Sequence, residues 1–377
     1  MNDKVNKKLL KLSGVCAIIL AVALIVVGVF ELLVIHYKNK LEYLDAGKRW
    51  SADGERYAVI NMYAEEGSAV SSDQALSWAN SMDSSLLQSS VTPNEGARSW
   101  AYTYAADVTV SVTGPKSTAT AEAIAAGGDF FVFHPMKIVY GSYFLNDDSN
   151  PMGIVIDRNL LVLPDLFLHN ILAWKLFGAE NIVGMTVTIN GEEFVVTGIT
   201  EPETDKGIYG YTYGTRPRMY MSYAGYIKTV GEDNSVTIFE TALPNAVKSF
   251  AKNIFDGVVK VNEETTEVIE VTDRFSLQNR FNNMKTLKYS WIRADKIEYP
   301  YWENEAKVYD YYCAIFMIFE VAMAALFVVS LLIALVSVRF SGYSVIYDLK
   351  KLFDKAEKSY KKKHPKKVKK TVNDKSL

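Results

Sequence analysis

Val15-Cys-Ala-Ile-Ile-Leu-Ala-Val-Ala-Leu-Ile-Val-Val-Gly-Val-Phe-Glu-Leu-Leu-Val-Ile35 contains one acid, Glu31, and no base. As a helix these residues span about 32 Å, enough for a hydrocarbon core of about 30 Å. A second run of this kind, Cys313–Val338, also carries a single acid, Glu320. No other stretch approaches this length, so whatever lies between the two is a domain tethered at both ends. Lys4, Lys7, Lys8 and Lys11 precede the first run as the positive flank of a signal peptide would. The run is longer than a signal core, however, and Glu31-Leu32-Leu33-Val34 stands where a small-residue cleavage site would fall. An uncleaved anchor is therefore expected.

Charge then assigns the sides. The first 14 residues hold four Lys and one Asp, and residues 339–377 hold Arg339 and twelve Lys against four acids. The middle, 37–312, has 24 bases and 36 acids. Bases gather on the cytoplasmic side of membrane proteins, which places both termini inside. The expected order is a cytoplasmic N-terminus 1–14, a membrane helix 15–35, an extracytoplasmic domain 36–312, a membrane helix 313–338 and a cytoplasmic Lys-rich tail 339–377. The 49% hydrophobic content and mean hydropathy of +0.02 exclude a disordered chain. Two cysteines exclude a disulfide scaffold. A net charge of −2 gives no reason to expect nucleic acid as a partner. The external segment lacks cysteine and Asn-x-Ser/Thr acceptors, which suits a bacterial cell membrane.

Within that segment, residues 38–50 read as a charged helical stalk. Tyr57–Tyr63 reads as a strand, and Ser71 or Ser72 caps a helix to Gln88 with Ala75, Ala79, Met82 and Leu86 on one face. Val108, Val110 and Val112 alternate with polar residues in a strand closed by Gly114-Pro115. Phe130–Phe133 and Gly153–Ile156 read as short strands, and Asp165–Phe177 as a helix. Met185–Ile189 and Glu192–Ile199 flank Asn190-Gly191, the signature of a type I′ hairpin. Arg218–Tyr223, Val236–Thr241 and Val268–Thr272 read as strands. Pro244 opens a helix with Val247, Phe250, Ala251 and Ile254 on one stripe, ended by Gly257, and Trp302–Tyr312 forms a second stalk. The pattern for 275–298 is ambiguous. Strands and helices mix without βαβ spacing, so the fold class is α+β, a two-lobed mixed domain between two membrane helices.

No phosphate-binding GxxxxGK[ST], G-x-S-x-G or H-E-x-x-H motif occurs, so ATP hydrolysis by this chain is not expected. No catalytic residue, metal or cofactor is assigned. His134 and His169 read as structural histidines. Three features remain as contact candidates. Tyr209, Tyr211 and Tyr213 sit on the glycine-rich loop 207–214 and form either a recognition surface or packing for their own lobe. Glu320 lies deep in the second apolar run, where a charge costs about 2.5–3.5 kcal/mol and calls for a polar group on a neighbouring helix. Ile346, Leu349 and Phe353 share one face of a Lys-rich tail helix that suits anionic lipid or a cytoplasmic protein.

Five segments in order resemble the MacB-like periplasmic core domain of bacterial ABC permeases of the MacB/FtsX type. They are Phe130–Phe133 with Lys137–Phe144, then Gly153–Asp157, Leu172–Gly178, Ile182–Ile189 and Phe194–Ile199. The helix from Ser71 and the strand Val108–Gly114 sit where that family has its early helix and strand. The resemblance covers about residues 15–225. It implies a two-lobed external domain, a dimeric permease and a separate or fused ATPase. Such permeases have four membrane helices; this sequence shows two, a shortened form that cannot line a transport path alone.

The resemblance therefore implies a non-catalytic membrane subunit or accessory of an ABC-type transporter. Its external domain would bind or gate substrate, or relay ATP-driven movement. An ABC ATPase and a full-length permease subunit would be its partners, with a homo-oligomer also open. The alternative is a two-pass sensor or adaptor whose external domain binds a peptide or envelope component.

Overall fold

The protein is described by a computed structural model over residues 3–51, 54–91, 98–144, 151–157, 176–179, 181–201, 217–287, 297–341 and 355. Two compact units form. One holds residues 1–32 with 318–377, the other is Leu33–Met317. Helices α1 (Asp3–Lys40) and α8 (Tyr301–Ser341) run from one unit into the other.

In the first unit, Phe30 of α1 stacks on Phe319 of α8, ring centroids 5.8 Å apart. The buried residues here are small or polar: Cys16 and Ala23 on α1, Glu320, Ser330 and Ser337 on α8. Cys16 and Ala23 are seven apart, as are Ser330 and Ser337, the repeat of helices packed at a shallow angle. Large apolar side chains such as Ile18, Ile25, Leu332 and Leu335 point outward. Such a surface is stable only in an apolar medium.

In the second unit, after α1, the chain forms α2 (Ala46–Trp50), β1 (Tyr57–Ala64), α3 (Ser72–Gln88), β2 (Ala101–Thr113), β3 (Thr118–Gly128) and α4 (Phe130–Phe133). Then follow β4 (Ile138–Gly141), β5 (Gly153–Asp157), β6 (Thr186–Ile189), β7 (Glu192–Thr200), β8 (Arg218–Ser222) and α5 (Tyr223–Val230). The rest comprises β9 (Ile238–Pro244), α6 (Phe250–Val258), β10 (Thr266–Glu270), α7 (Leu277–Lys285) and the start of α8. Among the described residues the strands form one sheet in the order β10-β1-β9-β2-β3-β8-β5-β7-β4. Pairing is antiparallel except for β3 with β8 and β5 with β7.

Strand β6 closes the second lobe, because it pairs with both β7 and β2. The path β2-β3-β8-β5-β7-β6 therefore returns to β2 as a small barrel. Val110, Val112, Ile154, Ile156, Val187, Ile189, Phe194, Val196 and Met219 fill its interior. Strand β3 contributes Ala119, Ala121, Ala123 and Ala125 at alternate positions to the same core. Small residues on one wall leave room for the large ones opposite, as small barrels require. The β6–β7 turn has Asn190 at φ 49° and Gly191 at φ 92°, the predicted type I′ geometry.

The first lobe has three layers. Ala58, Ile60, Met62 and Ala64 of β1 face α3 and α6, where Ala75, Ala79, Met82, Leu86 and Phe255 are buried. Ser71 caps α3, its side chain accepting from the Gln74 N–H. Tyr63 of β1 and Ile238 of β9 face the opposite side, toward the foot of α8. β1 and β9 are covered on both faces, so burial is continuous along them, from Ala58 to Ala64 and from Ile238 to Pro244.

Four expectations are corrected. Phe130–Phe133 is a helical turn, not a strand, because Phe130 and Phe133 enter different cores. The stalk 38–50 is not one helix. α1 stops at Lys40, and burial of Leu41, Leu44 and Ala46 turns the chain through a 3-10 segment into α2, whose first turn Asp45 caps. Pro244 ends β9 opposite Tyr57 instead of opening a helix; α6 starts at Phe250, Val247 is exposed, and Gly257 lies inside α6. Fourth, the strand expected at Val268–Thr272 is shifted to Thr266–Glu270, in register with β1. Nearly all of the expected helix 165–177 lies outside the described residues, with only its last two residues described as helix.

The alanine wall yields a direct prediction. Ala123→Leu overpacks the barrel and should cost about 1–3 kcal/mol. A lowered melting temperature of the detergent-solubilised chain, with Val230→Leu on the surface as the unaffected control, would register it.

Candidate functional site: the socket of the second stalk

The first ten residues of α8 carry Glu303, Glu305, Lys307 and Asp310, which reads as a solvated helix surface. Folding buries it instead: Tyr301, Trp302, Glu303, Asn304, Glu305 and Ala306 are all inside the protein. Helical spacing sends these side chains in every direction, and each meets a different element.

Trp302 reaches Glu240, which projects from the middle of β9 and is 0% exposed. An isolated carboxylate there would be very costly. It is instead surrounded by donors. Glu240 Oε1 accepts from Asn61 Nδ2 (2.9 Å), Trp302 Nε1 (3.1 Å) and the Tyr63 hydroxyl (3.2 Å), and Oε2 faces His134 Nε2 at 2.5 Å. The His134 ring lies 3.9 Å from that of Trp302. Two residues of β1, the cap of α4 and the stalk thus share one carboxylate. His134 has the structural place expected of it.

Glu303 meets Arg274, which follows β10. Arg274 Nη2 donates to both Glu303 oxygens (2.8 and 2.6 Å), and Nη1 donates to Asp310 Oδ2 at 2.9 Å. One guanidinium thus serves two carboxylates. Arg274 Nε and Asp310 Oδ1 are buried with no hydrogen-bond partner among the described residues. Burial pushes the Glu303 and Asp310 carboxyls above their ordinary values, opposed by Arg274. Burial beside Glu303 and Glu240 drives the Tyr63 phenol well up. Lys307 donates to Glu267 of β10 at 3.0 Å, and the Tyr299 hydroxyl also bonds Glu267. Burial raises Glu267, but these two partners outweigh it and leave the carboxyl below its usual range.

Two further contacts extend the socket. Tyr301 stacks under the Arg218 guanidinium (4.1 Å) and accepts from the Tyr220 hydroxyl (3.3 Å), both on barrel strand β8. Arg218 also pairs with Glu122 of β3. Toward the first stalk, Tyr43 donates to Glu305 (2.5 Å), and Tyr37 packs against Tyr309 with centroids 4.7 Å apart. The foot of α8 is thus fixed to β1, β9, β10, the barrel and the first stalk. The arrangement offers no nucleophile beside a base. Among the described residues no group of three His, Cys, Asp or Glu is placed to hold a metal.

The residues singled out from the sequence are not brought together here. Tyr209, Tyr211, Tyr213, Ile346, Leu349 and Phe353 lie outside the described residues. Glu320 lies in α8 within the other unit and is 7% exposed. Sequence reasoning missed Glu240, Arg274, Trp302 and Glu303. The available signal was the run Tyr301-Trp302-Glu303-Asn304-Glu305, where aromatic and acidic residues occupy all faces of a predicted helix.

Comparison with known proteins agrees with this architecture. The model of the MacB-like periplasmic core domain matches residues 15–266, more than half of the chain, and the chain belongs to that family. It thus carries the periplasmic domain of ABC-type transporter permeases. Two apolar helices long enough to cross a membrane flank that domain, the arrangement of a two-pass membrane protein. Similar solved structures include the periplasmic region of MacB from Actinobacillus actinomycetemcomitans. It is 14% identical, with 59% of this chain and 92% of that one covered and a TM-score of 0.40. The extracellular domain of the noncanonic ABC-type transporter YknZ from Gram-positive bacteria is 11% identical, with 56% and 100% covered and a TM-score of 0.36. No curated protein matches the sequence.

The shared guanidinium predicts a pH dependence. A carboxyl whose folded pKa is raised contributes stability that is full below its unfolded pKa, about 4, and lost as pH rises through the folded value. The contribution of Glu303 and Asp310 to stability should therefore fall as pH rises from about 4 through their folded values, while that of Glu267, whose carboxyl is lowered, has the opposite sign. Asp310→Asn keeps an oxygen for Arg274 and removes one buried charge. The variant should melt higher than the parent at pH 8, with a flatter dependence, in thermal scans from pH 5 to 8.

Proposed function

We propose that the chain is a non-catalytic membrane subunit of an ABC-type transporter complex whose external domain relays movement through its stalks. The observation that supports this is the socket. A helix leading to the membrane is bonded to both lobes through buried polar contacts with fixed directions. A displacement of α8 must move β9, β10 and β8 together or break hydrogen bonds inside a dry interior, where unmet groups cost about 1–3 kcal/mol each. Rigid transmission is favoured over independent motion.

In this reading an ABC ATPase supplies the movement and a full-length permease subunit the path, since two helices enclose no polar route. Both termini are cytoplasmic. Glu320 contacts a polar group on a partner helix. Tyr209, Tyr211 and Tyr213 contact a ligand or partner outside, and Ile346, Leu349 and Phe353 hold the tail on anionic lipid. Glu320→Gln should weaken partner retention.

The test is co-purification from native membranes in mild detergent, followed by ATPase assay. An ABC ATPase and a larger permease should accompany the chain in near-equal amounts. Trp302→Phe, which keeps a ring in the socket and removes only the Nε1–H bond to Glu240, should leave the complex assembled but weaken the effect of the chain on ATP turnover. A chain that emerges alone contradicts the subunit assignment and favours the sensor reading. Unchanged coupling in Trp302→Phe contradicts the relay.

A further inference from the structure

The two edges of the sheet are unlike. At one end β4 is four residues long, with a register shift between Ile138 and Tyr140 and with Gly141 at φ 74°. Shifts and kinks of this kind blunt an edge against a further strand. At the other end β10 pairs with β1 through five consecutive residues without a shift. Its sequence, Thr266-Glu267-Val268-Ile269-Glu270, contains no Pro, Gly or Lys, and Thr266, Val268 and Ile269 are β-branched. It therefore has the composition of a strand that pairs readily and lacks the usual guards of an edge.

The hydrogen bonds show which of its backbone groups face outward. The Val271 N–H donates to the Val59 carbonyl, and the Glu65 N–H donates to the Thr265 carbonyl. In an antiparallel pair the backbone groups of alternate residues point to the same side. Thr265, Glu267, Ile269 and Val271 thus turn theirs toward β1, while Thr266, Val268 and Glu270 turn theirs away. Among the described residues no other strand lies beside β10. Three N–H and three C=O groups at ladder spacing form a template for an added strand. Val268 packs with the core under α3 and α6, and Ile269 packs with the core at the foot of α8. A strand beside them continues both layers.

Charge selects the occupant. Residues 262–273 hold Glu263, Glu264, Glu267, Glu270 and Asp273 and no base. Glu267 is taken up by Lys307 and Tyr299. Glu263, Glu264 and Asp273 are exposed, and Glu270 is half-buried. Lys252 and Lys248 lie near Glu270, but Lys252 is paired with Asp256. Burial, with Asp273 and Asp256 close by, pushes the Glu270 carboxyl above its ordinary value in spite of both lysines. A second copy of β10 on this edge would set these acids against their own counterparts, and like charges across strands are destabilising. A strand carrying bases meets the opposite condition.

We propose that β10 receives an extended, Lys- or Arg-bearing segment of another protein, which adds a strand to the edge of the sheet. The backbone of Thr266, Val268 and Glu270 holds the segment, and Glu263, Glu264, Glu270 and Asp273 select its bases. This site is independent of the relay proposed above.

Hydrogen exchange of the full chain in detergent, read residue by residue, tests the proposal in two stages. In the chain alone, the amides of Val268 and Glu270 should exchange about a hundredfold faster than those of Ile269 and Val271. Equal protection that is independent of chain concentration means that the chain covers its own edge. Protection that grows with concentration means that a second copy does. Either result overturns the proposal. The second stage adds the peptide Lys-Val-Thr-Val-Lys-Val-Lys as probe. One control peptide has Glu in place of each Lys; another has N-methyl groups on its three central residues, which keeps the charge and blocks both edges of a strand. The basic peptide should slow exchange at Val268 and Glu270 about tenfold, and neither control should do so. Glu263→Gln combined with Glu264→Gln should raise the Kd of the basic peptide about fivefold, the scale of one or two cross-strand charge pairs. Both glutamates are exposed, so loss of folding does not confound the result. Equal slowing by the methylated peptide indicates charge attraction without strand addition and overturns the proposal. Equal slowing by the Glu peptide, or no slowing by the basic peptide at millimolar concentration, overturns it as well.

Discussion

Glu240 sits in the centre of β9 with no exposure to water, and its polar oxygens are tolerable there only because hydrogen-bond partners surround them. Asn61 and Tyr63 of β1, His134 after α4 and Trp302 of α8 are those partners. Removing any one element leaves the carboxylate under-bonded in a medium of low dielectric constant. The position of the stalk helix is therefore a condition for a stable sheet, not a consequence of attaching a membrane anchor. Around this centre lie Arg274 with its two carboxylates and Lys307 with Glu267, each of which ties another turn of α8 to the domain. Directional polar bonds in a closed interior specify one geometry where apolar packing would tolerate several.

The barrel answers a different constraint. Closing six strands into a ring leaves little space inside, and the alanines of β3 make room for Phe194, Met219 and the isoleucines opposite. The barrel is joined to the stalk through the Tyr301–Arg218–Glu122 contact, so both lobes are referred to the same helix. In the relay proposed above, such common reference points would let movement of the stalk reach both lobes. Family membership supplies the broad setting of ABC-type permeases, and the socket supplies the physical reason to favour relay over gating by loops.

Much of the architecture was legible from local pattern. Apolar length gave the two long helices, and Asn190-Gly191 gave the hairpin, because Asn and Gly supply the positive φ at both residues that a two-residue type I′ turn requires. Ala75, Ala79, Met82 and Leu86 gave the buried face of α3. Where local propensity and tertiary demand diverged, propensity lost. Phe130–Phe133 has strand-forming residues yet winds into a turn, since its two phenylalanines must enter separate cores. Thr118–Gly128 is rich in alanine yet is extended, since the barrel accepts only small side chains there.

The socket was not legible, for a reason that applies to any buried ion pair. A buried Glu303 and a solvated Glu303 look identical in sequence; the difference is an arginine 29 residues earlier and a tyrosine 240 residues earlier. By itself the sequence determined the anchors, the charge partition, the α+β class and the family resemblance, because these rest on composition and short-range periodicity. Only the tertiary structure decided which acids are buried and that β6 closes a barrel. Each of those depends on partners distant in the chain, brought together by packing.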